Sequence, residues 1–191
     1  MPIIAITGSI ASGKTLVLDY FARQNYQIFS ADRFIKNLYK DRAIQDEVLK
    51  KILELKIFDK QKIAEIIYEN EARRKAIEQL IHPYVVDELV KIKNNIVNNR
   101  VVFAEIPLLF EAKLEKYFEY IIVTTSSYRK RLKRASLRPF FCQEIFDKIE
   151  KIQWPQSKKV RRANFVINTD VEMIELQLQL TNILEEIRCR H

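Results

Sequence analysis

Glycine is nearly absent from this 191-residue chain, which holds two, Gly8 and Gly13. Average usage of about 7% would supply roughly a dozen. Cysteine and histidine are equally scarce, with two of each. Cys142 and Cys189 lie far apart and show no C-x-x-C spacing. That argues against a disulfide scaffold or a paired-cysteine metal knuckle and leaves two reduced thiols. His82 and His191 alone cannot build a histidine-rich zinc site. Long apolar runs are missing too. The opening run, PIIAIT, is short and has no basic stretch ahead of it, so no signal peptide is expected. VVFAEIPLLF is broken by Glu105 and Pro107 and is too short to span a bilayer. These absences point to the cytoplasm, and no membrane-spanning segment is expected.

What is present describes a folded domain. Hydrophobic residues make up 48% and charged residues 30% of the chain, a soluble globular balance rather than a disordered one. The length suits one domain with a real core. A net charge of +8 calls for an anionic partner: nucleic acid, a membrane surface or a phosphorylated small molecule. Charge alone does not choose among them.

The β-branched run at 2–7 leads into GSIASGKT, and TLVLDYFARQ follows with Leu16, Leu18, Phe21 and Ala22 at helical spacing. A second strand is expected at 26–30, ending in Ala31-Asp32. Residues 33–97 read as mostly helical, with a boundary at His82-Pro83 because proline disfavours helix in the residue before it. Asn94, Asn95, Asn98 and Asn99 supply a turn. Nearly continuous apolar runs at 101–106 and 120–125 predict fully buried strands. A basic helical region is expected at 127–153, a fifth strand at 164–168 and a last amphipathic helix at about 171–188. Strands alternating with helices predict a parallel α/β sheet with right-handed crossovers.

The two glycines fall in G-x-x-x-x-G-K-[ST], filled by Gly8, Gly13, Lys14 and Thr15. In this phosphate-binding loop, Gly8 permits the tight exit from the strand. Gly13 lets backbone N–H groups approach phosphate oxygens. Donors from Ala11, Ser12 and Gly13 through Leu16, together with the helix N-terminus, would cradle a nucleotide. Lys14 would reach the β- and γ-phosphates of ATP, and the Thr15 hydroxyl would ligate Mg2+. No guanine-reading N-K-x-D follows a strand, which sets GTPases aside.

From about residue 3 to 170 the chain resembles the dephospho-CoA kinases. The family's T-G-G-I-G-S-G-K-S is matched by Thr7 to Thr15, its D-A-D by Ser30-Ala31-Asp32 and its H-P by His82-Pro83. P-L-L-[FV]-E is matched by Pro107 to Glu111, and R-x-x-x-R by Arg134 and Arg138. A-D-x-[VI]-I-x-N is matched by Ala163, Asn164 and Val166 to Asn168. The H-P and P-L-L-F-E matches do most to exclude nucleoside monophosphate kinases. The resemblance implies a P-loop NTPase fold, a five-stranded parallel sheet flanked by helices. It also implies a core (about 1–32, 98–126 and 154–191), a helical acceptor-binding region (about 33–97) and a helical lid (about 127–153). It implies ATP as donor, Mg2+, and the ribose 3′-hydroxyl of dephospho-CoA as acceptor.

Asp32 is expected at the carboxyl end of the second strand, next to the first, facing the crevice of the phosphate loop. A carboxylate there can accept or orient the proton of an attacking hydroxyl; it could also cap a helix. Glu105 ends a buried strand, where it could serve magnesium or a structural ion pair. Arg131, Arg134 and Arg138 at i, i+3, i+7 would share a helical face, and that face could simply be solvated. The resemblance makes it a lid whose Arg134 and Arg138 close over the triphosphate. It also places His82, Glu111 and Lys36 near the acceptor and Asn168 near the ATP adenine. Read from the residues alone, His82 could equally be a helix-end histidine packed beside Pro83, and Asn168 could simply end the strand. Ser9 and Ala11 depart from the family's glycines, Ser30 from its first aspartate, and Pro139 and Asn164 from its acids. Two further functions fit parts of the pattern: another small-metabolite P-loop kinase, and a nucleic-acid-binding regulatory NTPase suggested by the charge. No nucleic-acid module is recognisable for the second.

Overall fold

Five apolar runs form five strands in a computed structural model that describes residues 3–54, 63, 66–67, 69–95 and 101–190. They are β1 (Ile3–Gly8), β2 (Gln27–Ser30), β3 (Val102–Glu105), β4 (Tyr120–Thr125) and β5 (Phe165–Asn168). All pair in parallel, in the order β2-β3-β1-β4-β5. The expected parallel sheet of a P-loop fold is therefore present, but β2 does not lie beside β1. β3 separates them, and burial gives the reason. All four residues of β3 are buried, whereas β2 begins with exposed Gln27 and half-buried Ile28, which suits an edge. Ser30 pairs with Glu105 in register, so the carboxyl ends of β2 and β3 meet side by side.

The strands are apolar on both faces because helices cover both. Successive side chains alternate: Ile3 and Ala5 enter one core with Val102, Ala104 and Leu109, while Ile4 and Ile6 enter the other with Phe103. In the second core Phe21 stacks on Phe103 with ring centroids 3.6 Å apart. Complete burial of each ring contributes roughly 1.5–3 kcal/mol.

The helices are α1 (Lys14–Arg23), α2 (Ala31–Leu38), α3 (Arg42–Asp46), which runs into a π-helical turn at Glu47–Ile52, and α4 (Glu71–Asn94). Then come α5 (Tyr128–Ser136), α6 (Gln143–Ile152), α7 (Gln156–Val160) and α8 (Met173–Cys189). The boundary expected at His82-Pro83 does not occur: Pro83 lies inside α4. Ile77, Ile81, Val85 and Leu89, four residues apart, form one buried stripe on both sides of it. Packing of that stripe outweighs the hydrogen bond lost at an exposed proline. α4 ends at Asn94, with Asn95 donating to the Lys91 and Ile92 carbonyls; Asn98 and Asn99 lie outside the described residues. Proline does act elsewhere. α5 stops at Ser136, so Arg138, the residue before Pro139, stands beyond the helix, and only Arg131 and Arg134 belong to it. Among the described residues, no helix is long and apolar enough to cross a membrane.

Candidate active site

β1 ends at Gly8, and the next five residues turn back to begin α1 at Lys14. The turn needs both glycines. Gly8 has φ +152°, and a Cβ there would lie 2.4 Å from Thr124 Oγ1 and 2.6 Å from Ser12 Oγ. Gly13 has φ +88°, and its Cβ would sit 2.9 Å from Thr169 Cγ2. Ala11, where the resembling family has glycine, is held in the left-handed region at φ 58°. Its methyl packs with Ala135 and Phe146, which offsets strain on the order of 1 kcal/mol.

Hydroxyls and one guanidinium fix this loop. Ser12 Oγ and Thr124 Oγ1 lie 2.7 Å apart, and Thr169 Oγ1 donates to the Ser12 carbonyl at 2.9 Å. From the other side, Gln153 Oε1 accepts from Ile10 N–H at 2.8 Å, and Arg131 Nη1 donates to the Ile10 carbonyl at 3.3 Å. Arg131 is itself buried and pairs with Glu150 through both terminal nitrogens. Its charge is therefore structural.

Lys14 is buried and donates to the Gly8 and Ser9 carbonyls at 3.1 and 2.9 Å. Burial lowers its pKa to about 8, against the pull of Glu105 and Asp32 and with the push of Lys159 and Arg138. Glu105, buried at the end of β3, accepts from Thr15 Oγ1 at 3.0 Å and from Ser30 Oγ at 3.2 Å. Among the described residues it forms no ion pair within salt-bridge distance. This cluster of a carboxylate and two hydroxyls is a set of hard oxygen donors suited to a small divalent cation.

Ser30 precedes α2, and its Oγ faces the Arg33 N–H at 3.5 Å. Asp32 is thus not the cap; it projects from the first turn. It is open to cavity solvent yet walled by protein. Burial raises its pKa, opposed by Lys14 and Arg138.

Two cavities meet at Asp32. The larger, about 600 Å3, is lined by the phosphate loop from Ile10 to Leu16, by Glu105, Arg134 and Arg138, and by Arg74 and Glu78 of α4. The smaller, about 150 Å3, is mostly apolar and contains His82. Asp32, Ile77, Glu78, Pro107 and Leu108 line both. Gly8 lies under the loop without lining either. Arg134 donates to Thr169 Oγ1 at 2.9 Å and to Ser126 Oγ at 3.2 Å, and it faces Asp170 at 3.6 Å. Arg138 is exposed, and its side chain has no hydrogen-bonded or ion-paired partner among the described residues.

Three expected residues lie apart from these cavities. Lys36 is exposed in the last turn of α2. Asn168 closes β5, where its Oδ1 accepts from Asp170 N–H at 2.9 Å. Glu111 accepts from Trp154 N–H at 2.7 Å and pairs with fully buried Lys159 at 2.9 Å, bracing the segment that carries Pro107 and Leu108. Sequence reasoning missed Thr124, Thr169, Gln153, Lys159, Arg74 and Glu78. Lys159 stands in the basic run SKKVRR and resembles a surface charge until its burial is seen.

Residues 2–175 match the dephospho-CoA kinase family. The dephospho-CoA kinase of Rickettsia bellii is 43% identical over 187 residues, covering 98% of both chains. A crystal structure of a Thermus thermophilus protein superposes with a TM-score of 0.81 at 26% identity, covering 99% of this chain and 97% of that one. Dephospho-CoA kinase from Campylobacter jejuni shares the fold, with a TM-score of 0.63 at 21% identity over 97% and 96% of the two chains. With the phosphate loop, the paired Glu105 and Thr15 and the cavity-facing Asp32 in place, the chain belongs to the dephospho-CoA kinase family.

Proposed function

We propose that the protein transfers the γ-phosphoryl group of ATP to the ribose 3′-hydroxyl of dephospho-CoA, giving coenzyme A and ADP in the cytoplasm. The observation that carries this reading is the position of Asp32, where the cavity of the phosphate loop joins a second, mostly apolar cavity. A donor on the phosphate loop and an acceptor in the second cavity can meet there.

The loop's N–H groups and Lys14 hold the triphosphate, and binding draws Lys14 away from the Gly8 and Ser9 carbonyls. Phosphate charge stabilises the ammonium form that burial alone disfavours. Thr15 and Glu105 would hold Mg2+, which supplies charge neutralisation on the phosphate oxygens. Asp32 orients the 3′-hydroxyl and takes its proton as the oxygen attacks in line. Its raised pKa brings it closer to the operating pH, as suits a base. Arg138, which lines the larger cavity, would stabilise charge on the transferring group. Arg134, anchored on Thr169, holds the nucleotide side of the cavity. In this scheme α5 and α6 form the lid, and α2 to α4 form the acceptor-binding region.

A coupled ADP-release assay against a panel of hydroxylated acceptors tests the activity. Dephospho-CoA should be preferred by orders of magnitude over shikimate, gluconate and nucleosides. Equal or better turnover of any of these would refute the assignment.

A further inference from the structure

We propose that the smaller cavity behind Asp32 receives the adenine ring of the acceptor, and that Glu78 selects it by accepting from the exocyclic amine. The inference rests on the activity proposed above. With the acceptor oxygen held at Asp32, only groups attached close to the ribose can enter a cavity that Asp32 itself lines. Those are the base and the 5′-phosphate. The pantetheine arm begins beyond the diphosphate, and a space of about 150 Å3 cannot hold both.

The lining decides between the two. Among the described residues the cavity carries two carboxylates, Asp32 and Glu78, and no lysine or arginine. The other described polar side chains are those of His82 and Tyr39, so a phosphate there would face like charges with no lysine or arginine among the described residues to balance it. Adenine is flat, uncharged and apolar on both faces, and Ile35, Ile81, Val85 and Leu114 offer matching walls. Its amine supplies the N–H donors that a carboxylate accepts.

Glu78 is placed for this. It lines both cavities, and His82 stands one turn further along the same face of α4. One turn earlier, Arg74 Nε lies 3.7 Å from Glu78 Oε1. That is an ion pair too long for a hydrogen bond, so the carboxylate keeps its acceptor sites. Arg74 lines only the larger cavity. The cationic side chain therefore stands on the side where the diphosphate must leave, and the carboxylate on the side of the base.

The test compares kcat/KM for dephospho-CoA and for adenosine 5′-monophosphate, an acceptor without the pantetheine arm. Ala112→Leu fills the cavity wall, and thermal melting reports whether the variant folds. It should lower kcat/KM about tenfold or more for both acceptors, by the same factor. A loss confined to dephospho-CoA would place the pantetheine arm in the cavity, and no loss would leave the cavity without a role. Either overturns the proposal. Glu78→Ala gives a second measurement independent of cavity filling. Dimethylating the adenine amine of dephospho-CoA should cost the wild type about 10- to 100-fold and the variant little. An equal cost in both overturns the pairing. A wild type that phosphorylates neither acceptor would instead refute the activity itself.

Discussion

Replacing Lys14 with methionine should make the protein more stable and inactive at once. Lys14 is 8% exposed, and burial brings its pKa from the usual 10.5 to about 8. A shift of that size means that folding with the charge in place costs on the order of 3 kcal/mol at neutral pH. Methionine keeps the length and apolar stem of the side chain and removes the charge. It also loses the bonds to the Gly8 and Ser9 carbonyls, about 1 kcal/mol each. The net gain is about 1–2 kcal/mol, which would raise Tm by a few degrees in a chain of this size. The sign depends on pH. Below about pH 8 the lysine is protonated whether folded or unfolded, and the wild type carries the full handicap. Between about 8 and 10.5 only the unfolded chain keeps the proton. Wild-type stability therefore rises with pH, and the gap between the two proteins closes. Urea denaturation at neutral pH and again well above pH 8 measures this, and ATP should stabilise the wild type alone. A methionine variant less stable than wild type at neutral pH, or a gap that does not move with pH, would refute the reasoning.

Three other substitutions probe separate parts of the site. Asp32→Asn should retain ATP binding and much of the acceptor binding while kcat falls by roughly 10²- to 10⁴-fold in single-turnover transfer. Because burial raises the Asp32 pKa, wild-type activity should fall with acid through a limb above the ordinary carboxylate range, and the asparagine variant should lack that limb. Arg138→Ala should lower kcat about 10²- to 10³-fold with little change in acceptor binding, and an unchanged kcat would return the residue to a solvated role. Gly13→Ala, forced to φ +88° with its Cβ 2.9 Å from Thr169, should lose about 1–3 kcal/mol in chemical denaturation; wild-type stability would contradict the loop geometry.

The phosphate loop was legible because its demands are local. A chain with two glycines shows where the backbone needs them, and the flanking periodicities identify strand and helix. The five strands were legible for a similar reason: each is a short apolar run, and burial on both faces leaves no polar alternation to confuse the pattern. Strand order was not, since PIIAIT, YQIFS and VVFAEI do not say which of them sits at the edge. Pro83 misled because its local preference is weaker than the buried stripe of Ile77, Ile81, Val85 and Leu89. Among the arginines, spacing grouped Arg131, Arg134 and Arg138 together. Tertiary contacts separate them into a buried partner of Glu150, a brace on Thr169 and an exposed group before Pro139. Glu111 and Lys159 show the same limit, since a buried ion pair 48 positions apart leaves no local trace in sequence.

The central claim is that the Asp32 cavity directs phosphate to one hydroxyl, and the position of the new phosphate tests it most directly. Dephospho-CoA and ATP labelled in the γ-phosphoryl group, incubated with the purified protein and Mg2+, should yield a product whose phosphorus NMR couples the label to the ribose 3′ proton. Asp32→Asn should form the same product slowly. Label released as free phosphate, or attached at the 2′-oxygen or the pantetheine end, would contradict the account.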